Sequence, residues 1–141
     1  EPSEFKDLEG YSIKVYTLEM IVYEKLRAIC QKLPEYEYAQ EPIKARPKDF
    51  YDIYMIMKNQ PHIKFEFLKL DILKEFFNKK AVPLNLLFKI QQYKKSVFDE
   101  GIEQLEKTLH NTELIDFESE KIFEFIIDGI NRIPNINTIK S

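Results

Sequence analysis

The sequence predicts a mainly α fold, a bundle of about five helices with one short strand at its front. Three observations lead there. Apolar residues recur at helical spacing in five separate stretches. Long stretches carry neither Gly nor Pro, of which the 141 residues hold 3 and 7. Only one segment, Ser12 to Tyr16, alternates as a strand does.

That strand places Ile13 and Val15 on one side and follows a polar, irregular start over residues 1–11. A lone strand is not stable, so it calls for a partner sheet, and no second strand is legible. Thr17 then caps a helix over Leu18 to Leu33, with Glu19 in its first turn and Pro34 beyond its end. Its apolar positions Leu18, Ile21, Val22, Leu26, Ile29 and Leu33 span an arc of about 140°. Lys25 falls inside that arc. A polar connection rich in Tyr and Glu, residues 35–45, leads to a second helix from Pro47 to about Asn59, with Phe50, Ile53, Tyr54 and Met57 on one face. A third helix is expected over Phe65 to Asn78, burying Phe65, Leu68, Ile72, Leu73 and Phe76. Residues 81–92 carry a short stripe of Leu84, Leu87 and Phe88. A fourth helix is expected over Lys94 to Leu109, with Gly101 inside it at a cost of about 1 kcal/mol relative to Ala. After a loop over His110 to Phe117, Asp116 caps a last helix over Glu118 to Arg132, and Pro134 stops it. Short connections imply an up-and-down topology.

Composition bounds the function. Hydrophobic residues make up 44% and charged residues 32%, as in a globular domain. The net charge is −3 and the isoelectric point near 5.5, so no general basic field holds nucleic acid. An RNA-binding helical domain would need Lys and Arg clustered on one face. The single Cys30 has no intrachain partner, which suits a reducing, cytoplasmic setting. No apolar run approaches the ~20 residues of a membrane helix, and no signal peptide is legible.

Two places could carry chemistry. Lys25 lies among Leu, Ile and Val, where an ammonium costs several kcal/mol unless it reaches water, an acid or a phosphate. It either snorkels from the core or sits at the mouth of a site. The second place is the stretch Arg46-Pro47-Lys48-Asp49-Phe50-Tyr51-Asp52. Asp49 and Asp52 lie one turn apart at the positive end of the helix dipole. That is a sound helix start in its own right. It also suits Asp49 as a general base or metal-associated acid, with Asp52 orienting neighbours and Arg46 or Lys48 holding an anion. His62 and His110 lack ligand spacing, so no zinc site is expected. The isolated glycines form no phosphate loop. Lys79-Lys80 and Lys94-Lys95 read as solvated helix ends.

Leu18-Glu19, Lys25-Leu26 and then Arg46, Lys48, Asp49 and Asp52 follow one another in the order, spacing and helix phase of a known pattern. The segment from Ser12 to Met57 resembles the second half of the AbiEii/AbiGii toxin nucleotidyltransferases. The resemblance implies a nucleotidyltransferase domain followed by a helical C-terminal domain. It implies Mg2+-assisted transfer of a nucleotide from a nucleoside triphosphate (NTP) to an RNA acceptor, tRNA included. It also implies a toxin paired with a cognate antitoxin and linked to abortive infection. Lys25 would contact the triphosphate, Asp49 would act near the acceptor or nucleotide, and Arg46, Lys48 and Asp52 would support them.

The family's Gly-Ser loop and Asp-x-Asp, which supply the metal-binding carboxylates, are absent from the 141 residues. The chain also begins at Glu1 rather than Met. The expectation is a C-terminal portion, inactive alone and binding no cofactor by itself: residues 1–17 as the remnant of a missing N-terminal nucleotidyltransferase domain, 18–134 as the helical domain and 135–141 as a tail. The surfaces around Ile13, Val15 and Lys25 would then pack on the missing domain. The alternative is a non-catalytic helical module that binds a protein partner.

Overall fold

The computed structural model describes residues 3–8, 11–110 and 117–140; for residues 3–16 it describes the backbone alone. Two antiparallel strands, β1 (Ser3–Leu8) and β2 (Tyr11–Tyr16), come first, in register from Ser3 opposite Tyr16 to Leu8 opposite Tyr11. The expected strand therefore has a partner within the chain, in a segment expected to be irregular. In SEFKDL the two apolar residues, Phe5 and Leu8, are three apart, so period-2 alternation did not mark it. The expected exposure of the Ile13 and Val15 side chains lies outside the described residues, as do the expected cap Asp116 and most of the loop before it.

The rest is helical, as expected: α1 (Leu18–Cys30), α2 (Pro47–Asn59), α3 (Leu70–Asn78), the single turn α4 (Lys94–Val97), α5 (Ile102–Thr108) and α6 (Ser119–Ile130). 3-10 segments join them at Phe65–Phe67, Leu84–Tyr93 and Asp99–Gly101, and another follows the last helix at Ile136–Ile139. No helix among the described residues is long and apolar enough to cross a membrane.

Helix α1 lies at the centre, against α2, α3 and the Leu84–Tyr93 segment. Thr17 caps it as expected, its hydroxyl accepting from the Met20 amide at 3.2 Å. A central helix buries more than one stripe. Val22, Leu26 and Ile29 are buried as the pattern requires, but so are Met20, Tyr23 and Cys30, while Leu18 is 40% exposed. Burial pushes the Cys30 thiol pKa far up, so the side chain behaves as an inert apolar group.

The expected third helix is broken at Leu68–Lys69, where the backbone is extended. The freed Lys69 amide donates to the Tyr23 hydroxyl at 2.8 Å, so α1 itself closes the gap. The expected fourth helix is broken as well, at Phe98–Gly101. Gly101 is not a helix-interior glycine: a Cβ there would stand 2.6 Å from Cδ of Pro47. The glycine lets the α4–α5 junction touch the first residue of α2. Lys94 is no solvated end either. It pairs with Asp99 at 2.9 Å and with Glu120 of α6 at 2.7 Å, over the ring of Phe123.

Behind these contacts the Phe50, Phe98 and Phe123 rings meet at centroid distances of 4.9 to 5.5 Å, joining α2, the α4–α5 junction and α6. A Cβ at Gly129 would lie 2.1 Å from the Phe65 ring, so α6 also receives an aromatic side chain against bare backbone.

Candidate functional site

The first turn of α2 is pinned from two directions. The Arg46 amide donates to the Val97 carbonyl at 2.8 Å, and Pro47 rests on Gly101. Phe50 anchors the next residues in the aromatic cluster. With its start and its apolar face both fixed, α2 has one rotational setting against α1. Asp49 and Asp52, one turn apart, then face Lys25 across the α1–α2 seam.

The five residues singled out by sequence come together there. Lys25 Nζ stands 3.2 Å from Asp49 Oδ1 and 2.9 Å from Asp52 Oδ2. Arg46 reaches Asp49 Oδ1 at 3.3 Å, and Lys48 reaches Asp52 Oδ2 at 2.8 Å. Each carboxylate thus has two cations, and three cations against two carboxylates leave one net positive charge. Lys25 does not simply reach water from the core; it is held between two acids.

Burial divides the cluster. Asp49 is 1% exposed, the one buried charged residue among those described, whereas Arg46 and Lys48 reach outward. Both cations on Asp49 crowd the same oxygen. Its other oxygen, Oδ2, is buried and accepts no hydrogen bond among the described residues. Such a group costs about 1–3 kcal/mol when left unmade, so a fold keeps it only against a compensating gain. Burial works to lower the Lys25 pKa, but the hydrogen bond its ammonium donates to Asp52 and the charges of Asp49 and Asp52 outweigh it and the pKa is raised. Lys25 is therefore a standing cation at neutral pH. It suits an anion and does not serve as a base.

Divalent metal does not fit this cluster by itself. No group of three His, Cys, Asp or Glu side chains gathers among the described residues, and both aspartates are already engaged by cations.

Along α1 from Lys25, one turn and more toward its C-terminal end, a cleft of about 530 Å³ opens between the helix and residues 36–46. Arg46 lines it as well as touching Asp49. Lys32, Tyr36, Tyr38 and Lys44 in its wall were passed over by sequence reasoning, which left Lys32 in the first helix and took residues 35–45 for a polar connection. The two tyrosines two residues apart, between Lys32 and Lys44, were the available signal, masked by Glu35, Glu37 and Glu41 around them.

A family model described as the nucleotidyl transferase AbiEii toxin of the type IV toxin–antitoxin system matches residues 1–132. The chain belongs to this family. The match runs through the two strands and six helices found among the described residues, well past the stretch that carries the quoted motif. No curated protein and no solved structure matches the chain.

Proposed function

We propose that this AbiEii-family chain supplies the cation–carboxylate half of a nucleotidyl-transfer site. Asp49 carries the reading: a buried carboxylate saturated on one oxygen and bare on the other, beside a permanent ammonium. In this reading a hydroxyl of the RNA acceptor attacks the α-phosphorus of an NTP. Its proton passes to the Asp49 carboxylate, which the acceptor reaches when Lys25 turns toward phosphate, and the bond to the pyrophosphate leaving group breaks. Lys25 neutralises the triphosphate. When Lys25 turns toward phosphate, Arg46 still holds Asp49 and Lys48 still holds Asp52, so neither aspartate is left as an unpaired charge. The single net positive charge of the cluster favours an anionic ligand.

The metal-binding carboxylates are assigned to a preceding nucleotidyltransferase domain with the Gly-Ser and Asp-x-Asp motifs, because the 141 residues contain neither. The chain then contributes residues 18–134 as the helical domain and is inactive on its own. A cognate antitoxin partner, a role in abortive infection and a cytoplasmic location belong to the same reading. It is tested by sequencing the gene upstream of the Glu1 codon and assaying the protein of the whole frame for transfer of radiolabelled nucleotide to RNA. Lys25→Ala and Asp49→Asn are expected to reduce transfer about 10²–10³-fold with a cooperative unfolding transition retained. A frame that starts immediately before Glu1, or wild-type rates in both variants, overturns the reading and leaves the helical interaction module.

A further inference from the structure

We propose that the cleft between α1 and residues 36–46 binds a nucleotide unit of single-stranded nucleic acid, with its base on Tyr38 and its phosphate on Lys32, Lys44 and Arg46. The first ground is the wall. Three cations face one carboxylate, Glu41, in a chain whose net charge is −3. The local sign is opposite to that of the whole molecule.

The second ground is how the aromatic pair is built. Tyr36 is 8% exposed, and its hydroxyl donates to the Lys80 carbonyl at 2.8 Å, which ties the loop to the end of α3. The Tyr38 ring meets the Tyr36 ring edge-on at 5.7 Å and 76°. Tyr38 itself is 62% exposed, among the most exposed large side chains of the described core-type residues. An anchored ring thus supports an exposed ring at the edge of a basic cleft. Base stacking needs such a face, and backbone tracking needs the cations around it. A tyrosine serving only the fold would be expected to cover its ring.

The third ground is position. Arg46 belongs both to this wall and to the Asp49 ion pair, so a strand held here would run toward the seam that covers Asp49. In this respect the inference deepens the transfer reading: it names where the acceptor strand lies on this chain. Strand binding needs no NTP and no transfer, so it can be tested apart from that reading.

The test is fluorescence anisotropy of a short labelled oligoadenylate RNA with the 141-residue chain at low salt, without NTP. Tyr38→Ala is expected to weaken binding about tenfold and Tyr38→Phe to stay within about twofold. Lys44→Gln is expected to reduce the slope of log affinity against log salt by roughly 0.7. Lys74→Gln, on exposed α3 surface, leaves binding unchanged. No binding at low salt, or equal affinity in Tyr38→Ala and Lys74→Gln, overturns the proposal. A competition arm separates the sources of the nucleotide. Displacement of the labelled strand by free ATP, lost in Tyr38→Ala, assigns the cleft to free nucleotide and overturns the strand; failure of ATP to displace it supports the strand. Loss of transfer in the whole-frame enzyme with strand binding intact would sink the catalytic reading alone.

Discussion

Lys25 at the α1–α2 seam and Lys94 between α4 and α6 each reach two carboxylates: Asp49 at 3.2 Å and Asp52 at 2.9 Å, Asp99 at 2.9 Å and Glu120 at 2.7 Å. The two lysine side chains are about equally shielded, at 24% and 26% exposure. The acids differ. Asp49 is 2% exposed at its side chain, while Asp99 and Glu120 are 37% and 68% exposed. Water can replace Lys94 at either of its acids. It cannot replace Lys25 at Asp49. Distance alone would rank the Lys94 cluster first; burial of the acid reverses the order.

The largest expected effect follows directly. Lys25→Met leaves Asp49 buried with Arg46 as its one remaining cation. Breaking a fully buried pair costs about 3–5 kcal/mol; with Arg46 retained and Lys25 itself partly exposed, roughly 2–3 kcal/mol is expected. Urea unfolding at neutral pH measures it. A loss below that of Lys94→Met would remove the distinction between the clusters.

Gly101→Ala comes next, because it attacks the placement of the site instead of its charges. The new Cβ meets the rigid ring of Pro47 at 2.6 Å and the Ala45 methyl at 3.1 Å. The start of α2 must shift, two residues before Asp49. Overpacking of this kind costs about 1–3 kcal/mol, and under the proposed transfer reading the activity of the whole frame should fall with it. Gly129→Ala is the control. Its Cβ strikes the Phe65 ring, away from the seam, so it should lower stability comparably while leaving per-molecule activity intact. Equal activity losses in both would show that only stability is being read.

Alkaline pH sharpens the same contrast. Asp52 and Asp49 raise the Lys25 pKa above 10.5 against the opposing effect of burial. A raised pKa in the folded state means that this stability is fully present below pH 10.5 and is lost as pH rises through the folded value. Tyr23, raised by burial from 10.0 to about 12, adds a loss of the same sign between those two pH values. Unfolding measured below and above pH 10.5 should show a fall that Lys25→Met makes shallower and that Tyr23→Phe makes shallower still. An unchanged slope in Lys25→Met would mean that its charge is not coupled to folding.

How far the sequence disclosed this arrangement depended on whether a signal was local. Both ends of α2 were legible, because Pro47 and Pro61 punctuate them. The seam was legible too, since Lys25 interrupts an apolar arc and Asp49 and Asp52 share a helix phase. The breaks at Leu68–Lys69 and Phe98–Gly101 were not. Each is stabilised by a partner distant in sequence, Tyr23 in one case and Pro47 in the other, and helical periodicity runs straight across both. For the same reason Lys94 read as a solvated end: Glu120, its partner in α6, is 26 residues away. The cleft was hidden because Tyr36 gains its anchoring role through a carbonyl 44 residues further on.

The smallest expected effect tests the other half of the comparison. Lys94 gains from Asp99 and Glu120, which raise its pKa, and its ammonium lies 5.3 Å from the centre of the Phe123 ring. Its acids are hydrated, so two exposed ion pairs and one cation–π contact should contribute under ~1 kcal/mol together. Lys94→Met would keep the apolar stem over Phe123 and remove only the charge. The loss should shrink further in 1 M salt, where screening shortens to about 3 Å. The loss in Lys25→Met should persist there, because the low exposure of Asp49 keeps counterions from its carboxylate. Parallel decay of both losses with salt would place Lys25 among the surface pairs. A salt-resistant loss for Lys25 alone would show that burial of the acid, more than the number or length of its ion pairs, decides which lysine the fold depends on.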